Sequence, residues 1–462
     1  MDFGLTDEQR EFKDHCRRFA TEVIRPAAAR HDADESTPWE VIAEARRWGL
    51  HGLEHLQKMG SDPDGQLGVI YAEEMHWGCA GIALAVSGSM LAAAGLAASG
   101  TGEQIARWIP DCFGLGDEVK LGAYAVTEPQ AGSDVKSLRT TAHRDGDEWV
   151  LNGTKVFITN GGIADVHVVV ASVDPSLGHR GQASFVIGKD TPGLSQGKKE
   201  SKIGIRASHT AEVLLDDCRI PLDQLLGGAE KLERKLERAR NGESSGRASN
   251  ALATFELTRP VVGAAAVGIA QAAYEWTLQY LEEERIVDPI HLWLDESSTA
   301  GRPPIQRQGI QQRLADLATE IEAARLLCQR ASWMGRSGRP LTGGQGSMSK
   351  LKAGDVAMWA TRTCMDLVGP FAQTTECPLE KWFRDAKIYQ LFEGTAEVQR
   401  LVISRMQASE YRERSGGVAG GLPGHEGSPN GTGSAAAVVG NAAEALEDRG
   451  VGGLAAAETA AG

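Results

Sequence analysis

Tyr124-Ala125-Val126-Thr127-Glu128-Pro129-Gln130-Ala131-Gly132-Ser133-Asp134 reads as a strand that leaves through a Pro-Gly turn rich in hydroxyls and exposed amides. Such a loop can hold a polar heterocycle through backbone N–H groups and Ser or Thr hydroxyls, although a plain connecting turn has the same composition. Just downstream, Trp149-Val150-Leu151, then Asn152-Gly153, then Lys155-Val156-Phe157-Ile158 predicts a β-hairpin. Asn-Gly supplies the positive φ angles of a type I′ turn. Val166 to Val173, Ser184 to Ile187 and Glu212 to Leu215 are further short strand candidates, separated by Gly, Pro, Asp or His. Residues 121–228 are therefore expected to form a β domain.

Both flanks read helical. Thr6-Asp7-Glu8-Gln9 offers a hydroxyl cap and acidic residues for a first turn. Phe12, Cys16, Phe19, Ala20 and Val23 recur at helical spacing, and Pro26 is expected to close the segment. Ile82 to Ala98 consists of small residues suited to a closely packed helix. After the β block, Val261 to Leu281, Ile310 to Ala331 and Ser347 to Val368 are long helical patterns. Asp385 to Leu391 and Ala396 to Met406 flank a break at Glu393-Gly394-Thr395. The expected domains are 1–120 helical, 121–228 β and 229–412 a helical bundle. The Gly/Ala-rich tail 413–462 cannot offset its ordering entropy and is expected to be disordered.

The 462 residues carry a formal net charge of −14. That balance argues against a nucleic-acid surface and weakens attraction to anionic lipid. No apolar run is expected to reach the roughly 18 to 20 residues that span a bilayer, and Met1 to Thr6 shows no targeting pattern. The seven cysteines are scattered with no C-x-x-C pair, so reduced thiols in a cytoplasmic protein are expected, with neither metal nor disulfide framework.

The Thr127-to-Asp134 loop resembles the T-E-P-x-A-G-S-D signature of the acyl-CoA dehydrogenase family. The resemblance covers roughly residues 1–410 in order. It continues through L-N-G-T-K-V-F-I-T-N-G (Leu151 to Gly161), F-E-L-T-R-P (Phe255 to Pro260) and R-D-A-K-I-Y-Q-L-F-E-G-T-A-E-V-Q-R (Arg384 to Arg400). It implies an α+β chain: an N-terminal helical domain, a middle β-barrel domain and a C-terminal four-helix bundle. It further implies FAD, an acyl-CoA substrate and electron-transfer flavoprotein as acceptor. The bundle would build a homotetramer or a dimer with FAD between subunits.

Residue roles follow from the same resemblance. Tyr124, Val126, Thr127, Gly132 and Ser133 would line or bond the flavin, with Ser133 also meeting the acyl-CoA. Phe157, where the family more often has Trp, would stack on the ring beside Ile158, and Thr159 would place its hydroxyl on it. Thr258, Arg259 and Gly394 would approach substrate, Arg259 as a local cation. Thr395 and Glu397 would complete the cofactor site. Glu393 would be the catalytic base, its pKa raised by burial beside an acyl chain. Read without the resemblance, Glu393 is an acidic residue before a helix start, with Thr395 as cap. Some relatives carry the base at the position of Thr258, which cannot serve.

Three departures bear on function. Glu284-Arg285 runs into Ile286-Val287-Asp288-Pro289 and a polar stretch, His291 to Arg302, leaving Arg285 and Gln308 as expected FAD contacts. The Gly-rich loop near the adenosine half reads Gly369-Pro370-Phe371-Ala372, in which Pro370 removes a donor and Phe371 adds bulk. Glu230 to Asn250 is a charged insertion, expected to be a solvated helix with i,i+4 pairs or else a cover or partner contact. Two alternatives stay open: an acyl-CoA oxidase of the same fold, and the structural subunit of a hetero-oligomeric dehydrogenase with a partial FAD site.

Overall fold

The computed structural model describes residues 4–242, 250–284, 304–339 and 341–414. Eight helices open the chain: α1 Asp7–Phe19, α2 Arg25–Asp34, α3 Trp39–Arg47, α4 Leu53–Ser61, α5 Gln66–Gly78, α6 Ala80–Ser87, α7 Ser89–Ser99 and α8 Gly102–Trp108. Thr6 caps α1 as its composition predicts. Its Oγ1 accepts from Gln9 N at 3.2 Å, and Gln9 Oε1 accepts from Thr6 N at 3.0 Å. Pro26 does not close that helix. A π-helical turn, Ala20–Ile24, widens the backbone just ahead of it, and Pro26 falls in the first turn of α2, where a missing N–H costs little.

One described segment, Ala80–Ser99, is long and apolar enough to cross a membrane, contrary to the expectation above. Most of it is buried inside the protein. It is two helices meeting at Gly88, and α7 packs on the sheet: a Cβ added at Gly95 would lie 2.7 Å from the Tyr124 ring. Its apolar character thus serves internal packing.

The middle of the chain is a curled seven-stranded sheet: β1 Gly122–Ala125, β2 Thr141–Asp145, β3 Glu148–Thr159, β4 Val166–Ser172, β5 Gln182–Gly188, β6 Leu194–Lys199 and β7 Thr210–Pro221. The order is β1-β4-β2-β3-β7-β6, with β5 also paired to β4. The expected hairpin at Asn152-Gly153 is absent; both residues lie inside the twelve-residue β3. The turn falls earlier, where Asp145 pairs with Glu148 across Gly146-Asp147 and Gly146 sits at φ 61°. Glycine first in a two-residue loop suits a II′ turn. Gly153 instead marks a bulge against β7, packed so closely on Thr140 that a Cβ would lie 2.4 Å from its hydroxyl. Asn152 bridges the irregularity, donating to Asp217 Oδ1 at 3.0 Å and accepting from Asp217 N at 2.8 Å.

The remaining helices are α9 Gly228–Arg240, α10 Asn250–Glu283, α11 Pro304–Arg336, α12 Gln345–Val368, α13 Pro378–Ala386 and α14 Ala396–Arg414. Helices α10, α11 and α12 pack on one another, α14 packs on α12, and α5 docks against α10. One apolar core runs through α1, α5, α10 and α12 and on into the sheet. Helix α9 makes the expected i,i+4 pair, Glu230–Arg234 at 3.0 Å, but it is not simply solvated. Leu232 and Ala239 are buried, Lys235 donates to Gln182 O, and Arg240 pairs with Asp174 at 3.0 Å. These contacts dock the helix beside β5. Residues 243–249 of that insertion, the polar stretch His291 to Arg302 and the tail beyond residue 414, where α14 ends, lie outside the described residues.

Candidate active site

Two ionised side chains buried beneath the Thr127–Asp134 loop fix its shape. Glu128 and Lys155 are almost fully enclosed and pair at 2.7 Å. Glu128 also accepts from the backbone N–H groups of Arg139 at 2.6 Å and Thr140 at 3.0 Å, and Lys155 donates to Val126 O at 3.0 Å. Burial opposes both charges. It brings Lys155 down to about 8, against the pull of Glu128. At Glu128 the Lys155 ammonium and the hydrogen bonds outweigh burial and hold the carboxyl down to about 2. The several donors on Glu128 leave its ionised form satisfied. The sequence reading passed over this pair; a lysine among the apolar residues of β3 was the available signal.

Val156 N donates to Thr127 O at 2.9 Å, so the loop lies directly beside the end of β3. The pairing of β3 with β7 slips between Lys155 and Ile158, and Phe157 within that slip has φ 57°. The slip turns the Phe157 ring outward, 64 % exposed, while Ile158 is buried in the core. Ile158 therefore offers only its backbone to a ligand. Tyr124 and Val126 are likewise buried, Tyr124 against α7. Gly132 and Ser133 are exposed at the loop tip. Among the described residues, no protein group bonds the hydroxyls of Thr127, Ser133 or Thr159. An exposed aromatic face beside free hydroxyls and a rigid loop fits a flat, polar-edged ring system such as a flavin.

Glu393 stands on the opposite wall. A 3₁₀ turn, Lys387–Gln390, leads into Glu393 and Gly394, both left-handed at φ 55° and 90°. Gly394 suits that conformation, and a Cβ there would lie 2.5 Å from Gln399 Nε2. Thr395 then caps α14, its Oγ1 accepting from Val398 N at 3.2 Å, as the cap reading anticipated. Glu397 is exposed in the first turn. The break is braced from below: Lys350 Nζ donates to Gly394 O at 2.7 Å, and Gln399 Nε2 to Glu393 O at 3.0 Å.

Glu393, Thr258 and Thr159 converge on one cavity of about 390 Å³, lined mainly by apolar side chains of α4, α5, α7, α10 and α11. Thr258 Oγ1 donates to Glu393 Oε2 at 3.1 Å. The Glu393 carboxylate keeps some open surface, but that surface faces the cavity, so protein encloses it. Burial raises its pKa; the Thr258 hydrogen bond and the charges of Arg259 and Lys350 oppose the rise. Burial likewise pushes Lys350 down to about 8, against the pull of Glu393. Lys350 was not singled out in the sequence; its helical register with Ala353 and Ala357 on the buried face of α12 could have flagged it.

Other expected site residues fall elsewhere. Arg259 is not a cation open to substrate: it is 2 % exposed beneath Gly394 and donates to Ser347 Oγ at 3.0 Å. Its charge acts instead on the neighbouring Glu393 carboxylate. Gln308 is on an exposed face of α11, and Gly369 ends α12 at φ 83°; neither lines the cavity. The bulk of Phe371 is absorbed by stacking on Tyr280, ring centroids 5.8 Å apart, with Trp276 stacked beyond at 5.2 Å. Arg285 lies outside the described residues.

The sequence matches the acyl-CoA dehydrogenase N-terminal domain over residues 6–114, the middle domain over 123–218 and the C-terminal domain over 248–407. The chain belongs to the acyl-CoA dehydrogenase family. It is therefore an oxidoreductase of an FAD-dependent family, with the fold that family implies. Among acyl-CoA dehydrogenase relatives, the rat (Rattus norvegicus) mitochondrial short-chain specific enzyme is 34 % identical over 411 residues, 88 % of this chain and 92 % of that one. Acryloyl-CoA reductase (NADH) of Anaerotignum propionicum is 36 % identical over 408 residues, 88 % and 95 % of the two chains. Butyryl-CoA dehydrogenase from Megasphaera elsdenii superposes with a TM-score of 0.73 at 31 % identity, covering 88 % of this chain and 99 % of its own.

Proposed function

We propose that this protein removes two hydrogens across the α,β bond of a fatty-acyl-CoA thioester and passes the electrons to an electron-transfer flavoprotein. The observation that carries the reading is the Glu393 carboxylate, enclosed on the wall of an apolar cavity that also reaches Thr159. In this reading Val126, Thr127, Gly132, Ser133, Phe157 and Thr159 hold the flavin, and FAD when bound supplies the two-electron acceptor. The apolar walls from α7 and α10 take up the acyl chain and exclude water. Glu393 receives the α-proton, which a raised pKa favours by making the carboxylate a stronger base. The backbone N–H at the base loop stabilises the charge that gathers on the thioester oxygen.

Thr395 and Glu397, at the exposed start of α14, are proposed to complete the cofactor site, and Arg285, Gln308 and Gly369 to reach its adenosine half. We further propose a cytoplasmic homotetramer or dimer. All seven cysteines are buried and unpaired, which supports a reducing compartment. A solved relative at 27 % identity and TM-score 0.72 is a prolyl acyl carrier protein oxidase, AnaB, so the acceptor needs its own test. Acyl-CoA should drive reduction of added electron-transfer flavoprotein under argon and give little peroxide in air. Stoichiometric peroxide without that protein would replace the dehydrogenase reading by an oxidase.

A further inference from the structure

The base is held by more than its own loop. Gln399 bonds its carbonyl and Lys350 that of Gly394, but the carboxylate itself has one described side-chain partner, the Thr258 hydroxyl on α10 at 3.1 Å from Oε2. Among the described residues no hydrogen bond reaches Oε1. A carboxylate on a left-handed residue ahead of a helix can turn about several bonds, and an anchored oxygen removes most of that freedom. The bond is charge-assisted and enclosed, which is where such bonds are strongest.

We propose that Thr258 is a positioning residue for the base: its hydroxyl anchors Oε2 of Glu393 and leaves Oε1 as the proton acceptor. This rests on the dehydrogenation reading above and deepens it. The charged and titratable groups around the pair and along its cavity are Arg259 from α10, Lys350 and Asp355 from α12, Glu397 from α14, Arg336 from α11, and Tyr389, Tyr71, His76 and His55 on the cavity wall. Asp355 is bonded to Gln390 and Arg400, Arg336 to Asp62 O, Glu397 is exposed, and burial keeps His76 and His55 neutral, so the charges that act on Glu393 beside Thr258 are those of Arg259 and Lys350. Those two persist when Thr258 is changed, which isolates its contribution.

The test is a difference-infrared titration of the Glu393 carboxyl in the FAD-loaded protein without substrate, the band being assigned by its loss in Glu393→Gln. Thr258→Val should raise that titration by about one pH unit, the size of a charge-assisted hydrogen bond. Thr258→Ser should restore it. Flavin reduction by butyryl- or octanoyl-CoA should follow, about tenfold slower in the valine variant on the acid limb of the pH profile and rescued by serine. An unmoved carboxyl titration in Thr258→Val, or an equal shift in the valine and serine variants, would overturn the proposal. If the valine variant does not fold, Thr258→Cys with its weak donor takes its place and should shift further than serine. Flavin left oxidised by every acyl-CoA, with the infrared shift present, would sink the dehydrogenation reading and uphold the Thr258–Glu393 contact.

Discussion

At the residue scale, the proposed reaction rests on one carboxylate that protein largely encloses on the wall of an apolar cavity. Burial raises the Glu393 pKa while Thr258, Arg259 and Lys350 restrain the rise, which in the proposed reading makes the carboxylate the stronger base. Because the base must be ionised, flavin reduction should climb as pH rises through the raised value and plateau above it. Glu393→Gln removes the proton acceptor at nearly constant volume. It should keep FAD bound yet slow substrate-driven flavin bleaching by about 10²- to 10⁴-fold, followed by anaerobic stopped flow. Full-rate bleaching in that variant would remove Glu393 from the base role. The sequence motif implies Glu393 as the base, and the structure puts its carboxylate on the cavity wall. The burial of Arg259 was not legible in the sequence, because a cation in a substrate motif reads the same whether it faces ligand or protein.

At the element scale, the loop and the strand end form one unit held by the Glu128–Lys155 pair. Removing one partner of a buried pair strands the other charge, so Lys155→Met should destabilise the fold by about 3–5 kcal/mol. Urea unfolding would measure this, with FAD affinity falling alongside. The pair's contribution also has a pH signature. Glu128 is depressed in the folded state, so its stabilisation is present above the ordinary carboxyl range, near pH 4.5, and drains away as pH falls towards about 2. Lys155→Met should lose that part of the acid sensitivity, and a stability curve unchanged down to pH 3 would contradict the assignment. Sequence periodicity found the strands around this unit but misplaced their turn. Asn-Gly is a strong hairpin signal only if the chain reverses there; here the same residues absorb a bulge, and Gly146-Asp147 makes the turn. Pro26 misled for a related reason, since one π turn accommodates it without ending the helical run.

At the scale of the whole molecule, helical, β and helical segments were readable because periodicity changes from 3.6 to 2 and back, and long motifs fixed their order. The cavity was not readable. It draws walls from α4, α5, α7, α10 and α11 and its base from the loop before α14, elements spread over more than three hundred residues. The Trp276–Tyr280–Phe371 stack shows a similar limit, because the bulk of Phe371 has meaning only beside its partners on α10. The most direct measurement is the visible spectrum of the protein purified alone, before and after anaerobic addition of saturated acyl-CoAs of increasing length. A yellow protein with about one FAD per chain, bleached by one range of chain lengths, is the predicted result. A colourless protein, or flavin that no acyl-CoA bleaches, would contradict the account.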